Sequence, residues 1–299
     1  MTDSDILRKC GWIDDPTAVA GVLATLPMPM FADVAPHLLA DVPEQVFLWD
    51  ACKRVTGGQL TAHDQDGVGC CVGEGFSSAV EYLACVEIAL GGPPGQFHPI
   101  SSAAIYALSR VEIGGGHVHG DGSVGAWAAK AVSQYGVLPR SSLGKYDLSH
   151  FDSERARSWG RDGLPDDLEP EARKHPVKTV SLVKSFEEAQ AALGHGYPVA
   201  VCSDQGFTMT RDRDGFCVPR GSWGHCMCFI GASNGARPGL CCLQSWGPNV
   251  PDGPIGLGDH PNCAFWVDAD VADRMLRQGD SWALSAFVGF PARKLDWMV

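Results

Sequence analysis

Two adjacent cysteines carry the residue type most suited to nucleophilic chemistry in this chain. Cys70 and Cys71 follow a glycine-rich loop, HDQDGVG, and open an apolar repeat: Val72, Phe76, Ala79, Val80, Leu83 and Val86 recur at three- and four-residue intervals. That period predicts a helix with one buried face. A cysteine in its first turn lies among unpaired backbone N–H groups at the positive end of the helix dipole. Both effects favour a thiolate and lower the thiol pKa. Gln65, six residues before Cys71, offers a side-chain N–H donor of the kind that stabilises an oxyanion. Far downstream, His225 stands at the mouth of GSWGHCMCFIGAS, a loop entering an apolar strand. A lone histidine there is by itself more often a core-edge residue than a base.

The elements that must position these side chains divide along the chain. PISSAAIYALSR (99–110) reads as a second helix, and GDGSVGAWAAKAVSQYG as a glycine loop followed by a third. The nucleophile helix is predicted to stop at GGPPGQ, 91–96. Residues 140–176 are polar and proline-bearing, a connection with one or two short helices. SFEEA places Ser185 as N-cap with Glu188 three residues on, a capping box. From Val199 onward strand patterns dominate: PVAVCS, HCMCFIGA, GLCCLQSW, FWVDA and WALSAFVGF. Helices first and strands last predict an α+β chain of two facing halves. Within residues 1–41, LPMPMF breaks any helix twice and VAPHLLADV allows one short turn, so the stretch reads as an arm packed on the body or on a partner.

Composition narrows the function. The chain has 299 residues, 45% hydrophobic and 19% charged, ordinary for a globular protein able to bury a large core. A formal charge of −12 argues against nucleic acid, whose phosphates need clustered Lys and Arg. No apolar run approaches the roughly 20 residues that cross a bilayer, and the N-terminus lacks a basic-then-apolar signal, so a cytoplasmic protein with no membrane partner is expected. Twelve cysteines in adjacent or closely spaced pairs suit packed free thiols better than a disulfide framework. No paired CxxC knuckles exist, and His117-x-His119 in its glycine loop lacks a third ligand. No metal site is expected.

Gln, five residues, then Cys at the start of a long helix resembles the papain-like cysteine peptidases. Two later stretches are similar to that family in the same chain order. The strand after His225 resembles the one that carries the family's general base. LQSWGPN at 243–249 resembles its Asn-Ser-Trp-Gly motif, with Gln244 in place of Asn. The resemblance runs from about residue 42 to the end, most weakly over 140–176. It implies a two-lobed α+β fold, with residues 1–41 an N-terminal arm and 42–299 a peptidase domain. The helical left lobe, with its central nucleophile helix, would lie mainly in 60–140, and the β-rich right lobe mainly in 177–299.

The same resemblance implies roles. Cys71 would be the nucleophile and His225 the base, while Gln65 and the Cys71 backbone N–H would hold the oxyanion. Gln244 would orient the imidazole, on a side chain one methylene longer than asparagine. Trp246 would cover that bond and border the substrate. Matching back from QYG places Gly122 and Ser123 as the edge that pairs with an extended peptide, and Gly224, just before His225, suggests an uncrowded subsite wall. Val68 and Gly120 stand where many secreted relatives have a disulfide. Cys70 competes with Cys71 for the nucleophile, at a spacing one residue short. The expected activity is a cysteine endopeptidase acting on polypeptide without a cofactor. Two other readings stay open: a papain-fold structural or adaptor protein, such as a phage particle component that docks through its arm, and a cysteine-dependent amidase or transpeptidase.

Overall fold

The computed structural model describes residues 8–91 and 97–295. Its helices of seven residues or more are α1 (Pro16–Leu23), α2 (Trp49–Thr56), α3 (Cys71–Ala89), α4 (Ser102–Leu108), α5 (Gly125–Gln134), α6 (Ser153–Asp162), α7 (Phe186–Gly194) and α8 (Ala269–Leu276). Seven strands form one antiparallel sheet: β1 (Gln45–Phe47), β2 (Thr179–Leu182), β3 (Val199–Arg211), β4 (Cys217–Ser233), β5 (Gly239–Leu243), β6 (Ala264–Asp268) and β7 (Trp282–Ser285). The strand order is β2-β7-β3-β4-β5-β6, with β1 on the far end of β4. β3 and β4 make a long hairpin whose register shifts beyond Ser203.

Helix α3 is the hub. From Cys71 to Leu83 every residue is buried, so the helix is covered all round and not on one face as its period predicts. Two glycines in its first two turns explain the close packing. A Cβ at Gly75 would lie 2.6 Å from Cys226 Sγ on β4, and one at Gly73 would lie 2.6 Å from the Ser102 carbonyl at the start of α4. The helix is thus gripped between sheet and helical layer. The expected stop at 91–96 falls mostly outside the described residues; α3 ends at Ala89 with Leu90 as its cap.

The second predicted helix begins at Ser102 and widens after Leu108 into a π turn, Ser109–Ile113. The capping box is met in half. Ser185 Oγ accepts from the Glu188 N–H at 3.2 Å, but the Glu188 carboxylate reaches back to the Lys184 N–H, one residue earlier than expected. The strand patterns from Val199 onward match β3 to β7, although β5 ends at Leu243 and releases Gln244–Trp246 from the ladder. Among the described residues no helix is long and apolar enough to cross a membrane, and no group of three or more His, Cys, Asp or Glu could hold a metal. None of the twelve cysteines is in a disulfide.

The described part of the N-terminal stretch, from residue 8, makes its contacts on the body of the chain. Asp15 Oδ1 caps α1 by accepting from the Ala18 N–H, and α1 packs on α5. Ahead of α1, residues 9–13 do not rest on an outer surface. They lie in the groove between the helical half and the sheet.

Candidate active site

Cys71 is the first residue of α3, fully buried, and belongs to the main core cluster. Cys70, next to it, turns into a separate cluster with Val68, Ala103 and Ala104, its Sγ 3.8 Å from Glu74 Oε1. The two adjacent thiols therefore point to different places, and only Cys71 faces the groove segment. The Gly11 N–H donates to Cys71 Sγ at 3.2 Å. The Cys226 backbone N–H, at the start of the buried stretch of β4, also reaches that sulfur.

The expected low thiol pKa is not found in this arrangement. Burial pushes the Cys71 thiol well above its ordinary value, helped by the neighbouring Cys226 thiol and opposed by the Cys226 and Gly11 N–H groups. The helix end is where it was predicted, but the segment lying over it removes the water that would solvate a thiolate.

Gln65 is completely buried and locked at both ends of its amide. Its Oε1 accepts from Ser245 Oγ at 2.8 Å, and its Nε2 donates to the Val68 carbonyl at 2.7 Å and to the Lys9 carbonyl at 2.5 Å. The side chain thus aims an N–H at a peptide carbonyl of the groove segment. The loops also bond through their backbones, Gln65 N–H to Ser245 carbonyl and Gly247 N–H to His63 carbonyl.

His225 Nε2 lies 2.9 Å from Gln244 Oε1. Because that oxygen only accepts, Nε2 carries the proton, and the buried Nδ1 is left with an unused lone pair. Burial is the main reason the imidazole is depressed to about 4; the Gln244 bond raises it, the Lys9 charge lowers it, and the Lys9 backbone raises it again. The extra methylene of Gln244 is absorbed where the chain leaves β5, with the Gln244 N–H held by the Cys263 carbonyl at 3.2 Å.

Trp246 is wholly buried. Its ring centroid lies 5.1 Å from that of His225 and 5.1 Å from that of Trp223. It covers the imidazole and, with the groove segment in place, has no exposed surface of its own. Gly247, at φ +57, passes so close to Asp64 that a Cβ would strike its carboxylate.

Gly122, Ser123 and Gly224 flank the groove segment on two sides. The Ser123 N–H donates to the Gly11 carbonyl at 2.8 Å, and the Ile13 N–H to the Ser123 carbonyl at 2.9 Å, a parallel bridge centred on Trp12. From the other wall the Gly224 carbonyl accepts from the Trp12 N–H at 2.8 Å. At Gly224 a Cβ would lie 3.0 Å from the Trp12 carbonyl, and at Gly122 (φ +119) it would lie 2.9 Å from the Gly11 carbonyl.

Sequence reasoning missed the residues that hold this segment. Trp12 donates its indole N–H to Asp280 Oδ2 at 2.8 Å, across 268 positions. Asp280 is almost fully buried and also accepts from the Trp282 indole at 2.8 Å and the Gly125 N–H at 2.7 Å. Burial raises its carboxyl to about 6, and these donors oppose the rise. Lys9 pairs with Asp64 at 2.9 Å. Beneath the Gln65 loop, His63 sits between Glu74 and Glu81 of α3, each ring nitrogen 2.9 Å from a carboxylate oxygen.

The chain matches no known family's sequence profile, and no curated protein resembles it in sequence. Its structure is similar to that of xylellain, a cysteine protease from Xylella fastidiosa, with TM-score 0.64 and 17% identity over 93% of this chain and 96% of that one. The fold is the papain-like one. Digestive procathepsin L 3 of Tenebrio molitor larval midgut is similar at TM-score 0.55 and 14% identity, over 95% of this chain and 78% of that one. Procathepsin B S9 from Trypanosoma congolense is similar at TM-score 0.54 and 14% identity, over 95% and 88%. In this papain-like fold the N-terminus of α3, the Gln65 loop and the residues just before the buried stretch of β4 meet the stretch from Lys9 to Ile13, with the QSWG turn bonded to the Gln65 loop behind them.

Proposed function

We propose that this chain is a cysteine peptidase of papain-like type whose cleft takes an extended peptide and which its own residues 9–13 hold closed. The observation that carries the reading is a length of polypeptide already seated in the groove, with its Lys9 carbonyl on Gln65 Nε2, its Gly11 N–H on Cys71 Sγ and its backbone paired to Ser123. Two of the similar solved structures are named as proenzymes, in keeping with a covered cleft.

Once the segment has left, the chemistry follows from the residues. Water entering the groove relieves the desolvation of both Cys71 and His225. His225 Nδ1 has no hydrogen-bond partner while the groove is covered, so ring and sulfur must first close on each other. The Cys71 thiol then passes its proton to His225 Nδ1, and Gln244 holds the other nitrogen and steadies the imidazolium. The thiolate adds to a peptide carbonyl, whose oxygen takes the electron pair and is met by Gln65 Nε2 and the Cys71 N–H. That N–H is free of a helical partner because it lies in the first turn. The C–N bond then breaks as His225 returns the proton to the leaving amine, leaving a thioester. Water, deprotonated by the same imidazole, adds to the thioester, and the acid and the free thiol result.

Full burial of Cys71 and His225 favours one other reading, a permanently closed scaffold. A thiol-directed epoxide separates the two. In the peptidase reading it labels Cys71 once per chain by intact mass, slowly in the wild type. Trp12→Ala removes the buried indole and its bond to Asp280, a loss of about 3–5 kcal/mol for a large aromatic. Labelling is then expected to accelerate by on the order of 10²-fold or more. A folded Trp12→Ala chain that takes no label over days would make the scaffold the better reading.

A further inference from the structure

The edge that pairs with residues 11–13 is held by an unusual set of bonds. Arg110 lies in the π turn after α4 and is 4% exposed. All five of its N–H groups are used. Nε donates to the Gly160 carbonyl at 2.6 Å, and Nη1 to Tyr106 Oη at 2.9 Å and the Gly122 carbonyl at 2.5 Å. Nη2 donates to the Val118 carbonyl at 3.0 Å and the Gly120 carbonyl at 2.7 Å. Its acceptors are four backbone carbonyls and a phenol. Three of the carbonyls belong to the glycine loop itself, a stretch with little side chain to fix its own path.

The same residues hold the other side of Gly122. Its N–H donates to Tyr106 Oη at 2.9 Å, so both backbone polar groups of Gly122 are tied to α4 and its π turn. Ser109 Oγ lies 2.9 Å from Ser123 Oγ. The Arg110 guanidinium stacks 5.0 Å from the Tyr106 ring centroid, and a Cβ at Gly160 would press on that ring, so helix α6 closes the assembly from behind. The widening of the helix into a π turn accompanies this placement of Arg110, and such turns recur at functional sites.

We infer that Arg110 is a positioning residue for peptide binding: its planar five-donor fork fixes the Gly122–Ser123 edge at which both the chain's own residues 11–13 and an incoming peptide pair. The inference rests on the peptidase reading above. The fork matters more than the charge, because a lysine ammonium has three donors at one point and cannot span carbonyls on both sides of the loop. An edge that is free to shift loses main-chain bonds in the ground state and the transition state alike. Such a loss raises KM and leaves kcat nearly unchanged.

The test is steady-state kinetics of Arg110→Lys on a fluorogenic peptide amide, together with the rate at which iodoacetamide labels Cys71 in the full chain. The loss of one or two hydrogen bonds predicts a KM roughly tenfold higher. Labelling is expected to speed up, because residues 11–13 lose the same edge. A purely structural role would not weaken peptide binding and loosen the covering segment together while sparing kcat. Should Arg110→Lys fail to fold, Tyr106→Phe removes the phenol that bridges Arg110 and Gly122, and both shifts are expected in the same direction at smaller size. An unchanged KM in a folded variant overturns the inference. If neither wild type nor variant turns over peptide or takes label, the peptidase reading falls and the inference with it.

Discussion

Replacing Gln65 by alanine is expected to lower turnover on a peptide amide by on the order of 10²–10³, the usual cost of losing one oxyanion donor, with KM little changed. The expectation comes from how firmly the amide is held. Ser245 Oγ fixes Oε1, so Nε2 points into the groove, where it meets the Lys9 carbonyl. In the peptidase reading proposed above, that carbonyl takes the place of the substrate oxygen that develops charge. A donor aimed there and needing no reorganisation contributes most when the oxygen becomes an anion, and so lowers kcat when removed. Gln65→Glu sharpens the test: a carboxylate in the same place accepts and cannot donate, and its charge opposes the oxyanion. It should be no better than alanine. Both variants are to be compared by steady-state kinetics after thermal melts show them folded. A loss below about tenfold in Gln65→Ala would mean that Gln65 serves only the loop and the covering segment.

How far the site could be read in advance depended on how local its causes are. Cys71 at the start of a helix was legible because helical period and loop composition are short-range signals, and both lie within twenty residues. The strands after Val199 were legible for the same reason. The seating of residues 9–13 was not. Lys9, Gly11 and Trp12 carry no periodic pattern, and their partners Gln65, Cys71 and Asp280 lie 56 to 268 positions away. The thiol pKa was misjudged for that reason: the dipole argument holds for an open helix end, and a covered one is governed by burial. Arg110 left no trace either, since its acceptors are mostly carbonyls, which look the same in every residue. Trp246 was half legible: its contact with the imidazole followed from the motif, but its complete burial depends on Trp223 in β4.

His63 did leave a signal. Glu74 and Glu81 are seven residues apart, on one face of a helix whose other buried positions are mostly apolar. Two acids on a buried face demand a cation or a set of donors. The structure supplies both. His63 bridges them, Ser102 Oγ donates to Glu74 Oε1 at 2.7 Å, and the Ile100 N–H donates to Glu81 Oε1 at 2.7 Å. Burial alone would lower the imidazole, but the two carboxylates outweigh it and raise it to about 10. His63→Ala leaves both acids without their cation in the core, and breaking a buried pair in this way is expected to cost on the order of 3–5 kcal/mol.

The pH dependence gives the larger clue. The folded value lies above the ordinary 6.5, so the stabilisation is complete below about 6.5 and is lost progressively as pH rises towards about 10. Urea unfolding of the wild type should therefore weaken across that window, and the slope should be missing in His63→Ala. Because the His63 carbonyl holds the Gly247 N–H and the next residues carry Gln65, the loosened loop should also depress kcat more than KM. A wild-type stability that is flat from pH 7 to 10 would show that His63 does not carry the charge that holds the two acids in the core.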